Sequence, residues 1–302
     1  MRIDERIASG GEPSFSFEFF PPKTPDGEAN LDAALAELAK LDPTYVSVTY
    51  GAGGSAEQKQ KTIEIVTRIK ATHGLEAMAH FTCVGASVAE LRATLDRMRD
   101  AGIENVLALR GDPPQGLQAH EWKPSEGGLT YSRELIELIR ADYDFVVGAA
   151  CFPEVHLAAE SAESDLRYTR EKVDAGARFL ITQLFFDNAV YYDFVARARE
   201  AGIDVPIIPG IMPITNVAQI RRFTSLCGAC IPPRLLRELE VRADQPEAVA
   251  DFGVAYATMQ CADLLANGAP GIHFYTLNRS PSTRAILSAL RVMAPWRRAV
   301  AA

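Results

Sequence analysis

The chain has 302 residues, 48% of them apolar and 23% charged, which is typical of a soluble globular protein that can bury a full core. Its formal net charge of −8 argues against a nucleic-acid partner or an anionic membrane, since both need a basic surface, and favours small-molecule ligands. We expect a cytoplasmic protein, because the sequence has neither a secretion signal nor a stretch of roughly 18–20 apolar residues that could cross a bilayer.

Eight short runs rich in β-branched and aromatic residues alternate with segments of helical periodicity along the chain. The predicted strands are residues 15–20, 45–51, 76–84, 105–111, 144–152, 178–186, 206–213 and 271–278. Three of the helical segments end in Ala-Gly, which is typical of a helix C-cap. These pairs are Ala101-Gly102, Ala175-Gly176 and Ala201-Gly202.

The eight βα units predict a (β/α)8 TIM barrel that forms a single domain over residues 1–302. Strands that are mostly apolar, without strict alternation, indicate a parallel sheet covered on both faces. A doubly wound sheet is the alternative, but its glycine-rich turn after the first strand is replaced here by Pro21-Pro22. Two connections are long: a loop at about 113–130, and a segment at about 230–269 that we expect to hold extra helix.

Polar residues stand at the carboxyl ends of the predicted strands, where a barrel builds its ligand site. They are Glu18, Thr49, His80, Thr82, Arg110, Asp112, Gln183, Tyr275, Asn278 and Arg279. Alternatives stay open for several of them: Glu18 could face solvent, His80 could be a hydrogen-bonded core histidine, and Asp112 could be a turn residue. Gln183 is harder to explain in this way, because a buried amide needs partners for up to four hydrogen bonds.

The sequence lacks the motifs that are typical of several classes of enzyme. Metal-ligand spacing, a nucleophile elbow and a P-loop are all absent, so we expect no metal. The five cysteines, including Cys227 and Cys230 in a CxxC, are expected to be free thiols. The polar set suits binding of a flat heterocycle and transfer of a proton and a hydride. Because side chains cannot carry hydride, a cofactor is implied.

Eight stretches make the chain resemble the methylenetetrahydrofolate reductase family over about residues 14–290. They are SFEFFPPKT, YVSVTYGAGG, EAMAHFTCVG, NVLALRGDPP, PEVH, KVDAGARFLITQLFFD, PGIMPI and HFYTLNR. The resemblance implies a barrel enzyme that reduces 5,10-methylenetetrahydrofolate to 5-methyltetrahydrofolate with NADH or NADPH, by a ping-pong route through bound FAD. It also implies a homo-oligomer that serves one-carbon metabolism and methionine biosynthesis.

The resemblance further implies roles for individual residues. Glu18 would be the general acid, with aromatic neighbours that raise its pKa, and Asp112 would lie near the flavin and bond the pterin. Substrate contacts would come from Asp112, Gln183, Gln219, Phe223 and Arg279. FAD would be held by Thr49, His80, Arg110, Gly111, Asp112, Ser132, Ala150, Phe152, His156, Asp165 and Lys172.

Three positions depart from the family pattern at the end of the site that would hold adenosine. Phe152 stands where relatives can carry Tyr, and Tyr168 and Glu171 stand where polar or basic residues can face the cofactor. An acid at Glu171 would be unfavourable near a diphosphate unless it points away. The chain ends soon after the eighth βα unit, so we expect it to lack the regulatory domain of longer members, which favours NADH as the donor.

Two other functions remain open at the level of sequence. One is a flavin-free pterin-binding barrel that transfers a one-carbon group, in the manner of dihydropteroate synthases. The other is a barrel that binds a ligand without turnover. Glu18 argues against the second, because a site that only binds gains nothing from a proton donor in an apolar strand.

Overall fold

A computed structural model describes residues 1–50, 56–112 and 124–297, apart from the side chains of residues 56–58. Its strands are β1 (Ser14–Phe19), β2 (Tyr45–Val48), β3 (Ala77–Thr82), β4 (Asn105–Leu109), β5 (Val146–Cys151), β6 (Phe179–Thr182), β7 (Ile207–Ile208), β8 (Gly210–Ile211) and β9 (Gly271–Tyr275). Its helices are α1 (Ile3–Ala8), α2 (Pro25–Ala39), α3 (Ala56–His73), α4 (Val88–Asp100), α5 (Ser132–Asp142), α6 (Ala162–Asp174), α7 (Asn188–Glu200), α8 (Val217–Cys227), α9 (Pro233–Val241), α10 (Pro246–Ala266) and α11 (Pro281–Met293).

All the strand pairs of the described sheet are parallel, in the order β7-β6-β5-β4-β3-β2-β1-β9-β8. Strands β7 and β8 are consecutive pieces of one extended segment, and they pair with β6 on one side and β9 on the other. That segment therefore closes the sheet, which confirms the predicted (β/α)8 barrel. The prediction of one continuous strand at 206–213 is wrong, because Pro209 interrupts it and has no N–H to donate.

Strand β1 shows how the residues divide between the two faces of the sheet. Phe15, Phe17 and Phe19 pack in the large core between the sheet and the helices. Side chains alternate along a strand, so Ser16 and Glu18 face the interior of the barrel. The aromatic residues that flank Glu18 in the sequence therefore lie on the opposite face of the sheet.

The amino-terminal end of the barrel interior is filled with apolar side chains. Ile3 of α1 is fully buried among side chains that come mostly from the first residues of the strands. The backbone N–H of Ile3 donates to Oδ1 of Asn105 at 2.9 Å, which fixes the helix across this end. The other members of this cluster are Tyr45, Met78, Leu107, Val146, Phe179, Ile181 and Ile208.

The predicted Ala-Gly caps are confirmed at the ends of α4, α6 and α7. In each case the alanine is the C-cap, and the following glycine has a positive φ, 72° at Gly102 and 76° at Gly202. Three helices, α8, α9 and α10, lie in the chain between β8 and β9, and α9 and α10 fall within residues 230–269. Residues 113–123 of the long loop lie outside the described residues, and within the described ranges no helix is long and apolar enough to cross a membrane.

Candidate functional site

Glu18 lies in the barrel interior near its carboxyl end, between two histidines from different strands. Its Oε2 atom is 3.4 Å from Nε2 of His80 on β3 and 3.4 Å from Nε2 of His273 on β9. The side chain of Glu18 is 19% exposed, whereas that of His273 is completely buried. A carboxyl group with two imidazole neighbours and limited access to water can hold or release a proton.

The pKa of Glu18 corrects one expectation from the sequence. Burial acts to raise this pKa, but the hydrogen bond to His273 and the charges of His80 and His273 together outweigh burial and hold it below the ordinary value of 4.5. The aromatic residues expected to raise it point away from the carboxyl group. The pKa of His80 is lowered to about 4, mainly by burial, so this imidazole is neutral at pH 7.

His273 and Ser16 belong to this cluster, and neither was among the site residues selected from the sequence. Nδ1 of His273 lies 2.8 Å from Oγ of Ser16, and Nε2 of the same ring makes the contact with Glu18. The three side chains form one chain of polar contacts across the paired strands β1 and β9. Alternation could have found them, since Ser16 stands two residues before Glu18 and His273 two before Tyr275.

A second group of predicted residues lies after β5 and on α6. The rings of Phe152 and His156 meet edge to face at 4.6 Å, and the backbone N–H of His156 donates to Oδ2 of Asp165 at 3.3 Å. Lys172 is 8% exposed and donates from Nζ to the carbonyl oxygen of Ala150 at 2.6 Å. The structure therefore brings together five residues that are separated by up to 22 positions in the sequence.

Burial governs the charges of this second group. It lowers the pKa of Lys172 and of His156, and it raises the pKa of Asp165 although Lys172 acts against the rise. Arg110 also lowers the pKa of His156, which shows that the segment after β4 faces this group. A buried ammonium beside a partly desolvated carboxylate offers a local charge to a polar or anionic ligand.

The segment Arg110-Gly111-Asp112 follows β4 in a backbone conformation that favours glycine. Gly111 has a φ of 91°, and a Cβ atom placed there would lie 2.4 Å from Cγ1 of Val84. The side chain of Asp112 is exposed. Any larger residue at Gly111 would thus displace both its own backbone and the loop after β3.

The residues predicted to bind substrate are more dispersed. Oε1 of Gln183 accepts from the backbone N–H of Leu184 at 2.9 Å, and Phe223 packs against the cluster that includes Leu184. Gln219 on α8 and Arg279 after β9 are exposed. Four predicted site residues stand apart: Thr49, Ser132, Gln219 and Arg279. Within the described part of the chain, none of the four forms a side-chain hydrogen bond or ion pair with another predicted site residue.

The three departures from the family pattern have clear surroundings. The carboxylate of Glu171 lies 3.5 Å from Nε of Arg133 on the neighbouring helix α5, so the acid is paired on the outer surface. Tyr168 is 45% exposed, and the guanidinium of Arg167 covers its ring at 5.1 Å. Phe152 keeps a ring contact with His156 without a hydroxyl group.

Some buried polar atoms near the carboxyl end of the barrel lack hydrogen-bond partners, among them Oγ1 of Thr82 and Nε2 of His80, which lies 3.4 Å from Oε2 of Glu18 without forming a hydrogen bond. Buried polar groups are normally satisfied, so these atoms fit a site whose remaining partners come from a polar ligand. Together with the buried Lys172, they suit a ligand with several polar groups. In the described ranges, no group of three or more His, Cys, Asp and Glu side chains is arranged to hold a metal ion.

The fold and these clusters define a (β/α)8 barrel with a partly buried polar site at the carboxyl ends of its strands. The profile of the family described as methylenetetrahydrofolate reductase matches residues 2–291. The chain therefore belongs to the methylenetetrahydrofolate reductase family.

Individual relatives agree with this assignment. The chain is 39% identical to methylenetetrahydrofolate reductase (NADH) 1 of Arabidopsis thaliana over 99% of its own length and 53% of the relative. It is 39% identical to 5,10-methylenetetrahydrofolate reductase of Escherichia coli over 93% of its own length and 92% of that protein. It thus spans about half the length of the plant relatives and most of the bacterial one.

Solved structures support the fold. An uncharacterised protein from Clostridium thermocellum that binds two copies of 5-methyl-5,6,7,8-tetrahydrofolic acid superposes with a TM-score of 0.62, at 15% identity over 96% of this chain and 98% of that protein. A 7,8-dihydropteroate synthase from Vibrio fischeri gives a TM-score of 0.51 at 13% identity, over 94% of this chain and 93% of that one. At these identities the likeness concerns the barrel alone.

Proposed function

We propose that this protein reduces 5,10-methylenetetrahydrofolate to 5-methyltetrahydrofolate, with FAD as bound cofactor and NADH as electron donor in a ping-pong sequence. The observation that carries the proposal is the position of Glu18. In a chain of this family, one carboxyl group lies at the carboxyl end of the barrel, 3.4 Å from each of two histidines. A site that moves one proton needs such a group, with its access to water limited.

The candidate cofactor residues support the use of a flavin. His80 and Thr82 offer buried polar atoms that need partners, and Lys172 offers a buried cation beside Phe152 and His156. Thr49, Arg110, Gly111, Asp112, Ser132, Ala150 and Asp165 would complete the site. When bound, FAD would accept hydride from the nicotinamide and supply it to the folate. The pairing of Glu171 with Arg133 supports this assignment, because that acid is directed towards a neighbouring helix.

Glu18 would supply the proton that opens the five-membered ring of the substrate to an iminium at N5. In the protein alone its pKa is low, so the carboxylate form dominates at neutral pH. A flat ligand stacked over the barrel end would displace the water that reaches this side chain and move its pKa upward. The proton would then reside on Oε2 of Glu18, the atom that also faces His80 and His273.

Substrate orientation would come from residues around this end of the barrel. Asp112 would bond the pterin, Phe223 would stack on folate or nicotinamide in turn, and Gln183, Gln219 and Arg279 would contact the folate. Plant relatives named for NADH support this donor over NADPH. The net charge of −8 supports small molecules as partners, and we propose a cytoplasmic homo-oligomer that serves one-carbon metabolism and methionine biosynthesis.

An anaerobic absorption spectrum of the freshly purified protein tests the proposal. We expect flavin bands that bleach when NADH is added and return when 5,10-methylenetetrahydrofolate follows. Parallel samples with NADPH compare the two donors. A protein that stays colourless after FAD is supplied, yet binds folate, would overturn the proposal in favour of a flavin-free pterin barrel.

A further inference from the structure

The turn that follows β9 has a backbone that most residues avoid. Leu277 and Asn278 both lie in the left-handed region, with φ values of 53° and 56°. Asparagine tolerates this region, but leucine rarely adopts it. Two such residues in succession persist only where surrounding contacts hold them, and such turns cluster at functional sites.

The contacts that hold the turn come from the backbone at the end of β1, at Glu18 and at Phe20, the first residue after the strand. Oδ1 of Asn278 accepts from the N–H of Phe20 at 2.9 Å, and Nδ2 donates to the carbonyl oxygen of the same residue at 2.8 Å. Oγ1 of Thr276 donates to the carbonyl oxygen of Glu18 at 2.5 Å. Asn278 is 7% exposed, so water competes little for these bonds.

This side-chain amide occupies the place of the next residue in a strand ladder. The regular pairing of β1 with β9 ends at Glu18 and Tyr275, and after Phe20 the chain continues into Pro21-Pro22. Beyond the last pair, Glu18 with Tyr275, the side chain of Asn278 supplies both hydrogen bonds that a neighbouring strand would give to the backbone of Phe20. The backbone around Glu18 is thus held at two points beyond the last strand pair, at the carbonyl group of Glu18 and at Phe20.

We propose that Asn278 is a positioning residue that fixes Glu18 against His80 and His273 for proton transfer to the folate. The proposal rests on the proposed function. Without the amide, the end of β1 is free to move, and the 3.4 Å contacts of Oε2 depend on its position. The next residue, Arg279, is a candidate substrate contact. The same turn would therefore position the catalytic Glu18, through Asn278, and a group that contacts the substrate.

The substitution Asn278→Gly tests this role, because glycine keeps the left-handed backbone and removes only the amide. In single turnovers of the flavin-loaded protein, we expect reoxidation by 5,10-methylenetetrahydrofolate to slow by about 10- to 100-fold, while reduction by NADH stays within about twofold. Asn278→Asp keeps an acceptor for the N–H of Phe20, so its rate of reoxidation should fall between those of the unmodified protein and Asn278→Gly. The matched control Leu277→Asn changes the same turn without touching Phe20 and should leave both rates near those of the unmodified protein.

A readout independent of turnover separates this proposal from the proposed function. In a ¹³C NMR titration of carboxyl-labelled glutamate, with Glu18 assigned by Glu18→Gln, Asn278→Gly should raise the pKa of Glu18, because its hydrogen bond to His273 is lost. An unchanged pKa of Glu18 would overturn the positioning role whatever reaction the protein performs. Equal slowing of both half-reactions, with a matching loss of thermal stability, would overturn it in favour of general support of the fold.

Discussion

The two ends of the barrel interior differ in what their side chains do. At the amino-terminal end, Tyr45, Met78, Phe179 and their neighbours form an apolar cluster that α1 covers with Ile3. At the carboxyl end, Glu18 of β1 and His80 of β3 lie together, near buried polar atoms that lack hydrogen-bond partners. The amino-terminal end stabilises the fold by burying apolar surface. The carboxyl end contributes less to stability, because it buries polar groups in order to hold a reactive carboxyl group.

The difference shows how one barrel separates stability from chemistry along the length of its strands. Strand β3 contributes to both ends: it places Met78 in the apolar cluster and His80, two residues later, beside Glu18. Substitutions at the amino-terminal end should therefore change the free energy of unfolding and leave the chemistry of the folded protein intact. Substitutions at the carboxyl end should do the reverse.

The largest effect on stability is expected from Phe179→Ala. Phe179 is fully buried, and its ring lies so close to Gly148 that a Cβ there would be 2.6 Å from it. Removing the ring leaves a cavity and should lower the free energy of unfolding by about 3–5 kcal/mol, measured by urea denaturation. The fraction that remains folded should bind flavin normally. A loss below about 1 kcal/mol would contradict the assignment of this end to stability.

An intermediate effect is expected from pH through His80. Its pKa of about 4 lies below the ordinary 6.5, so the unfolded chain binds a proton at a higher pH than the folded one. The free energy of unfolding should therefore fall as pH drops from about 6.5 towards about 4, by at most about 3 kcal/mol. Glu18, whose pKa is also lowered, adds a loss in the same direction at more acid pH, as it takes up its proton.

Urea denaturation at a series of pH values, with no added flavin, measures this effect. His80→Asn should reduce the slope of the curve between about pH 6.5 and pH 4, because one of the two histidines with a lowered pKa is gone and His156 remains. A slope in that window identical to that of the unmodified protein would show that other groups cause the acid destabilisation.

The smallest effect is expected outside both ends, at the CxxC of Cys227 and Cys230. Burial raises the pKa of Cys227, which disfavours the reactive thiolate, and Cys230 is exposed. The double substitution to serine should change the free energy of unfolding by less than about 1 kcal/mol and leave turnover unaltered. Turnover that an oxidant abolishes and a reductant restores, only when both cysteines are present, would show a redox role instead.

The repeated units explain why the barrel could be predicted from sequence. Apolar runs, Ala-Gly caps and their alternation are local features, and each one recurs. The interruption at Pro209 was harder to anticipate, because whether a proline ends a strand depends on which neighbour needs its missing N–H. In this barrel the carbonyl oxygen of Pro209 still accepts from the N–H of His273, so the chain remains in the sheet on that side.

The site was predicted less completely, for a physical reason. The identity of Glu18 as a candidate followed from its strand-end position, but its surroundings depend on residues more than 60 positions away. Sequence neighbours suggested an aromatic environment, and alternation along β1 places those rings on the other face. The contact of His273 with Ser16 depends on the register of β1 against β9, which the sequence of either strand alone does not specify.

The substitution Glu18→Gln tests most directly whether the carboxyl end performs the chemistry through this side chain. The amide keeps the shape of the carboxyl group but cannot supply the proton. In single turnovers, we expect flavin reduction by NADH to be retained and reoxidation by 5,10-methylenetetrahydrofolate to fall by about 10²- to 10⁴-fold, with little change in the free energy of unfolding. Reoxidation at the rate of the unmodified protein would contradict the role of Glu18, and with it the assignment of chemistry to this end of the barrel.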